Sequence, residues 1–183
     1  EMVIAKIQRW FAGSPVSASG NLDTSHNDAF RIGARGGTGA ASAYFVGSID
    51  EVRVYSRALT ASQIFVLYNS GQATRKVANN RGLVGHWPFD DASGTKATDS
   101  SGGGYTGTVS SATWTNGRRG KALQFDATDS VYVDQTMLAS ADTFTFAFWM
   151  YADSQSGYLF EFAQAGSTNG PLAGYSGSDF RLD

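Results

Sequence analysis

The side chains best suited to chemistry in this chain are its carboxylates. Asp50 and Glu51 stand together in the run 45–55, Asp90 and Asp91 follow the run 83–89, and Asp99 lies in the Asp-, Ser- and Gly-rich stretch 90–104. A glycine-rich acidic loop can offer part of the roughly six to eight oxygens that a calcium ion takes. Acid–base catalysis would instead need two carboxyls on one face. Neighbours on a strand point to opposite faces, so Asp50 and Glu51 are expected to diverge. Glu161 reads as a lone acid among aromatics, His26 falls in a polar loop, and His86 beside Trp87 reads as structural. No Ser-His-Asp arrangement or metal-type histidine spacing is present.

Aromatic rings are the second candidate chemistry, because they can stack on sugars. Trp10, Trp114, Tyr105, Tyr151 and Tyr158 are the candidates. The competing role is stronger, since most aromatics in strand-like runs are core. Trp87 and Trp149 are assigned there. The Ser101-Gly102-Gly103-Gly104 run has neither the lysine nor the helix of a phosphate loop.

The elements that must position these groups are mostly strands. The 183 residues include 22 Gly, 3 Pro and no Cys, with 42% hydrophobic and 13% aromatic residues. Many glycines between short apolar runs predict an all-β fold with enough apolar material for a core. A formal net charge of −2 gives no footprint for nucleic acid or anionic lipid, and the Arg118-Arg119 pair reads as a solvated turn. No apolar run approaches the roughly 20 residues that span a bilayer, so membrane insertion is not expected. Without cysteine there is no disulfide framework and no thiol chemistry. The chain opens at Glu1 without a leader-like segment, as a mature form or a fragment would.

Strands are expected over 2–11, 30–34 and 45–55, with Val52 and Val54 on one face of the last. Residues 17–28 read as a polar loop. A single helix should start at Thr60, whose side chain with Gln63 forms a capping box, and end near Gly71. Residues 72–81 read as a linker. Strands follow over 83–89, 105–109 and 112–115 (these last two a candidate hairpin), and at 123–125 and 131–133 around the 126–130 turn. Residues 143–151 put Phe144, Phe146, Phe148 and Met150 on one face and Thr145, Ala147, Trp149 and Tyr151 on the other. Both faces are apolar enough for a central strand. A strand at 158–162 follows, and 166–183 reads as weakly structured.

Two stretches resemble the laminin-G-like family of concanavalin A-like jelly rolls. The run Phe45-Val-Gly-Ser-Ile-Asp-Glu-Val-Arg-Val-Tyr-Ser-Arg-Ala-Leu-Thr, continuing to Gly71, is similar to that family's closing strand, tight turn and capping helix. The run Gly82-Leu-Val-Gly-His-Trp-Pro-Phe-Asp-Asp-Ala-Ser-Gly, with Asp99-Ser-Ser-Gly, Ala112-Thr-Trp, 120–126 and 144–149, is similar to its opening half. The order is reversed: residues 1–71 correspond to a C-terminal half, 72–81 to a linker, and 82–183 to an N-terminal half. The piece that normally joins them, a strand with Trp-His and a following Tyr-Asp, is absent, while 6–13 resembles the strand after it. The chain is then a window from a tandem array, a circular permutant closed through its linker, or a subunit that exchanges halves with a neighbour. An isolated half sandwich would expose its inner face and open edges.

The resemblance implies an all-β concanavalin-like jelly-roll sandwich of two antiparallel sheets with one short helix. It implies a structural calcium at Asp50 and Asp90, with Asp99 or the carbonyls of 101–103 completing the shell. The alternative is that Asp50 caps or pairs with arginines and the Asp90 loop is turn chemistry. Hydrolases of the fold carry a Glu-x-Asp-x-(x)-Glu run that is missing here, so no catalytic residue is assigned. The expected function is a non-enzymatic binding or adhesion module, extracellular or on the cell surface, that recognises a glycan or surface ligand through Trp114, Tyr105 and Tyr158. The rivals are a self-associating structural subunit and an accessory part of a polysaccharide-degrading enzyme; fold does not choose among them.

Overall fold

The computed structural model describes residues 2–8, 11–12, 16–18, 29–35, 43–69, 80–133, 137–138, 144–153, 156–163, 172–176 and 179–182. The elements are β1 (Met2–Gln8), β2 (Phe11–Ala12), β3 (Val16–Ala18), β4 (Ala29–Ile32), β5 (Gly47–Tyr55), α1 (Ala61–Asn69), β6 (Leu83–Trp87), β7 (Lys96–Ala97), β8 (Gly107–Ser110), β9 (Thr113–Asn116), β10 (Lys121–Phe125), β11 (Ser130–Val133), β12 (Phe144–Ala152), β13 (Ser156–Ala163), β14 (Leu172–Ser176) and β15 (Asp179–Leu182). Alternation of apolar residues along β12 and β5 requires two-sided cover, and the fold supplies it as two sheets plus a helix. One sheet runs β2-β1-β12-β5-β10-β9, with β3 also on β1 and β6 also on β5. The other runs β15-β14-β13-β4-β11-β8-β7. The strand pairings are antiparallel except that β1 lies parallel to β12. This is the jelly-roll sandwich with one helix, among the described residues, that the sequence implied.

Strands from before and after residue 72 interleave in both sheets. β5 is flanked by β12 on one edge and by β10 and β6 on the other. β4 lies between β11 and β13. The inner faces meet in one core in which Phe30, Trp87, Phe146 and Phe160 pack as neighbours. Phe30 lies 5.4 Å from Trp87 and 5.8 Å from Phe146 between ring centroids, and Phe146 lies 5.4 Å from Phe160. Met150, Phe148 and Phe144 extend the same face of β12, as its alternation required.

The opposite face of β12 and β5 is covered by α1. Thr60 Oγ1 accepts from Gln63 N–H at 3.3 Å, and Gln63 Oε1 accepts from Thr60 N–H at 2.9 Å, which completes the capping box. Leu67, Leu59, Tyr55 and Ala147 form this second apolar layer. Thr145 pins it: its Oγ1 donates to Arg57 O and accepts from Leu59 N–H. Gly71 and 72–79 of the expected linker lie outside the described residues, as do Trp10 and His26.

Five expectations change. β8 and β9 are not a hairpin. Ser111, at φ 67°, turns the chain so that β8 joins β11 in one sheet and β9 joins β10 in the other. The C-terminal stretch is not weakly structured, since β14 and β15 pair there as a hairpin, and within the expected loop 17–28 residues up to Ala18 continue β3. Glu161 does not stand alone: it sits opposite Arg31 across the β13–β4 pair. Trp149 is buried but not in the core between the sheets. It lies on the outer face, 5.5 Å from the Tyr68 ring.

Candidate functional site

The site is built by an irregularity in β5. Ile49 opposes Met150 and Asp50 opposes Trp149, yet Arg53 opposes Ala147, so β5 holds one residue more than β12 over this span. Glu51 is the extra residue and takes φ 55°, a conformation unusual for a side chain larger than glycine. Ile49 and Val52 both face the core. Asp50 and Glu51 therefore emerge on the same outer face, and the strand-parity expectation that they diverge is wrong. The bulge falls where β5's second edge passes from β10 to β6: Ile49 pairs with Leu123, and Val52 pairs with Trp87.

Glu51 is 5% exposed and gathers two arginines and a histidine from three elements. Arg53 donates to its Oε2, His86 Nε2 lies 3.2 Å from the same oxygen, and Arg119 Nη1 lies 4.0 Å from Oε1. Burial would raise the Glu51 pKa, but the His86 hydrogen bond and the charges of Arg53 and Arg119 outweigh it and hold the carboxyl below its usual value.

Asp50 is 3% exposed and meets the Gly117–Gly120 turn that joins β9 to β10. Its Oδ2 accepts from Arg119 N–H at 2.9 Å, while its Oδ1 has no hydrogen-bond partner. Burial is the main cause of a pKa raised from 3.8 to about 7; the Arg119 N–H opposes it, and the nearby Glu51 and Asp90 charges add to it. Asp90 holds the other end of the same turn, accepting from Lys121 N–H at 2.8 Å. The turn admits no side chain at its ends: a Cβ on Gly117 would lie 2.5 Å from Asp50 Oδ2, and one on Gly120, at φ 60°, would collide with Asp90 Oδ1. Arg118 then reaches over the Trp149 ring at 5.0 Å. The Arg118-Arg119 pair is thus the working part of a hairpin turn rather than a solvated one.

Beside the turn lies a cleft of about 160 Å3 lined by Ser48, Asp50, Asn116, Arg118, Trp149 and Tyr151. Tyr151 is 47% exposed. The structure brings Asp50 and Asp90 to one turn and leaves Asp99 on its own loop. Asp99 Oδ1 accepts from the N–H groups of His86 and Ser101, and Oδ2 accepts from Tyr105 N–H and Ser101 Oγ. Those donors outweigh burial and lower the Asp99 pKa. Among the described residues no three His, Asp or Glu side chains converge as a metal shell. The three aromatics stand apart from the cleft. Tyr105 packs on the core with its carbonyl accepting from Trp87 Nε1, Trp114 packs on the core and donates to Gly94 O, and Tyr158 lies on β13 with Arg35 5.5 Å from its ring.

Glu51, Arg118 and Tyr151 escaped the sequence reading as a group. The signal available was the Gly117-Arg118-Arg119-Gly120 turn between two strands; the bulge had none.

Among the described residues no helix is long and apolar enough to cross a membrane. No curated protein and no solved structure matches the chain. A family model described as the concanavalin A-like lectin/glucanases superfamily matches residues 12–65, the stretch that carries β3, β4, β5 and the start of α1. That description joins lectins and glucanases, so the likeness of residues 12–65 is to a binding or carbohydrate-related class of proteins. Residues 12–65 are similar to that superfamily, and the two-sheet sandwich around them is consistent with a concanavalin A-like jelly roll.

Proposed function

We propose that this chain is a non-catalytic carbohydrate-binding or adhesion module that works outside the cell or on its surface. The observation that supports it is how these acids are employed. Asp99 accepts four hydrogen bonds within its loop, Glu51 is surrounded by Arg53, His86 and Arg119, and Asp50 and Asp90 fasten one turn. Asp99 and Glu51, so engaged, build the surface rather than transfer protons, and among the described residues no second acid is poised opposite Asp50 across the cleft. A glycan array probed with the full chain, followed by analysis of the bound glycans, tests the reading. Retention of at least one glycan class without new reducing ends is expected; cleavage products would replace the module with an enzyme.

Calcium is the cofactor that the resemblance implies, and the fit rests on Asp50 and Asp90. Both present hard oxygens at one turn, their charges act on each other, and Asp50 Oδ1 lacks a partner. In this reading Asp50 and Asp90 hold the ion, backbone carbonyls and water complete its shell, and it neutralises a buried carboxylate whose burial raises its pKa to about 7. The Asp99 oxygens already accept four hydrogen bonds, so Asp99 stabilises the neighbouring loop instead. The expected result is a higher Tm in calcium than in chelator, as for any ligand that binds only the folded state; equal Tm values remove the ion.

The interleaving of β4 and β5 with later strands supports a sandwich closed within one chain. Light scattering should return a monomer. A stable dimer or a fibre would favour the exchanging structural subunit.

A further inference from the structure

We propose that the cleft between the Gly117–Gly120 turn and β12 binds a single terminal sugar ring, with Tyr151 as the stacking face and Asp50, Asn116 and Ser48 as hydroxyl partners. This rests on the carbohydrate reading above and assigns it a place: the outer face of the helix-covered sheet, at the β5 bulge, away from Trp114, Tyr105 and Tyr158.

The size limits the ligand. A cleft of about 160 Å3 is well below the roughly 300–1,000 Å3 of pockets that take drug-sized molecules, so one ring fits and an extended oligosaccharide does not. The wall chemistry selects polarity. A carboxylate oxygen buried without a hydrogen-bond partner carries a cost that a ligand hydroxyl removes by donating to it. Asn116 offers an amide with both donor and acceptor, and Ser48 a hydroxyl of either role. Asn116 also accepts from Lys121 Nζ at 2.9 Å, and Ser48 donates to Gln124 at 2.5 Å, so both side chains are already oriented. A pyranose presents adjacent hydroxyls that can meet such a mixed set while its C–H face lies on an aromatic ring.

The ring available for that is Tyr151, not Trp149. Trp149 has the Tyr68 ring at 5.5 Å and the Arg118 guanidinium at 5.0 Å, so it serves as wall. Tyr151 is 47% exposed and stands two residues along the same face of β12. Among the described residues only Phe65 on α1, at 67%, is a more exposed ring, and it stands outside the cleft, which leaves Tyr151 as the ring a ligand there would stack on. Calcium at Asp50 would compete with a sugar hydroxyl for the same oxygen, so added calcium should weaken binding here.

The test uses the full chain and four probes: the methyl glycosides of glucose, galactose, mannose and N-acetylglucosamine, titrated calorimetrically in chelator and again in calcium. At least one glycoside should bind, and Tyr151→Ala should weaken it roughly three- to ten-fold, the range an aromatic contact supplies. Asn116→Ala should weaken it comparably, and both exposed-site variants should keep the wild-type Tm. Tyr158→Ala, on the other sheet, should leave binding unchanged. Binding that survives Tyr151→Ala and Asn116→Ala but falls with Tyr158→Ala keeps the carbohydrate reading and overturns the cleft. Binding that requires calcium also overturns the cleft as drawn. If the glycan array is positive but none of the four glycosides binds, a single-ring cleft is overturned while the module stands. A blank array removes both.

Discussion

Asp99 and Asp50 are two aspartates under backbone N–H donors, one in a loop and one in β5, with opposite electrostatic fates. Asp99 accepts from the N–H groups of His86, Ser101 and Tyr105 and from the Ser101 hydroxyl, and its pKa falls. Asp50 is more deeply buried, accepts from Arg119, has a second acid beside it in Glu51, and its pKa rises to about 7. The difference teaches that hydrogen-bond count against burial decides the sign. Asp99's donors exceed what its half-burial costs; Asp50's do not. The first carboxylate is finished within its own loop. The second is left with an unmet oxygen, which is why the candidate ligand sites collect around it.

Three substitutions break or sharpen that contrast. The largest effect should come from Asp99→Ala, which strands the N–H groups of His86, Ser101 and Tyr105, while the Ser101 hydroxyl keeps Val84 O. We expect a loss of about 2–3 kcal/mol in denaturant unfolding, since water can reach part of the half-buried loop. A loss below about 0.5 kcal/mol would show that the loop holds itself without its anion.

Glu51→Gln should cost less, about 1–2 kcal/mol, because the amide keeps an acceptor for Arg53 while removing the charge that balances Arg53 and Arg119. The wild-type contribution of Glu51, like that of Asp99, is present above the ordinary carboxylate range. It is lost as pH falls through the lowered folded-state value. The Glu51→Gln protein should therefore lose less stability than wild type between neutral pH and acid. An unchanged acid limb would break the assignment.

Asp50→Asn should have the smallest effect and the opposite sign. The folded-state pKa of about 7 lies above 3.8, so the folded chain keeps a proton that the unfolded chain has released. Stability from this group is full below 3.8, falls as pH rises towards 7, and stays low above it. In chelator, Asp50→Asn should raise stability at pH 8 by about 1 kcal/mol and lose that advantage near pH 4, where wild-type Asp50 is neutral. It should also abolish any calcium-dependent rise in Tm. A variant less stable than wild type at pH 8 in chelator would mean that Asp50 is ionised and satisfied.

Much of the fold was legible because it follows from local pattern. The capping box at Thr60 and Gln63, the two-faced apolar alternation of β12, and the valines of β5 all sit where their periodicity put them. The sequence also pointed to Asp50 and Asp90, and the structure sets them at the two ends of one turn. It misjudged 105–115, because two short strands with a turn between them look alike whether they fold back on each other or cross to opposite sheets. Only the backbone at Ser111 distinguishes the two.

The sequence by itself determined the class: glycine-punctuated, apolar strands with one capped helix must bury two-sided sheets, and a sandwich does so. It could not determine the site. Strand parity separates Asp50 from Glu51, and only the extra residue in β5, forced when β12 on one edge and β10 and β6 on the other are paired together, returns them to one face. That bulge is a property of three strands held in register at once. No single stretch of residues encodes it, so tertiary pairing alone decided that Asp50, Glu51, Arg118 and Tyr151 would share a surface.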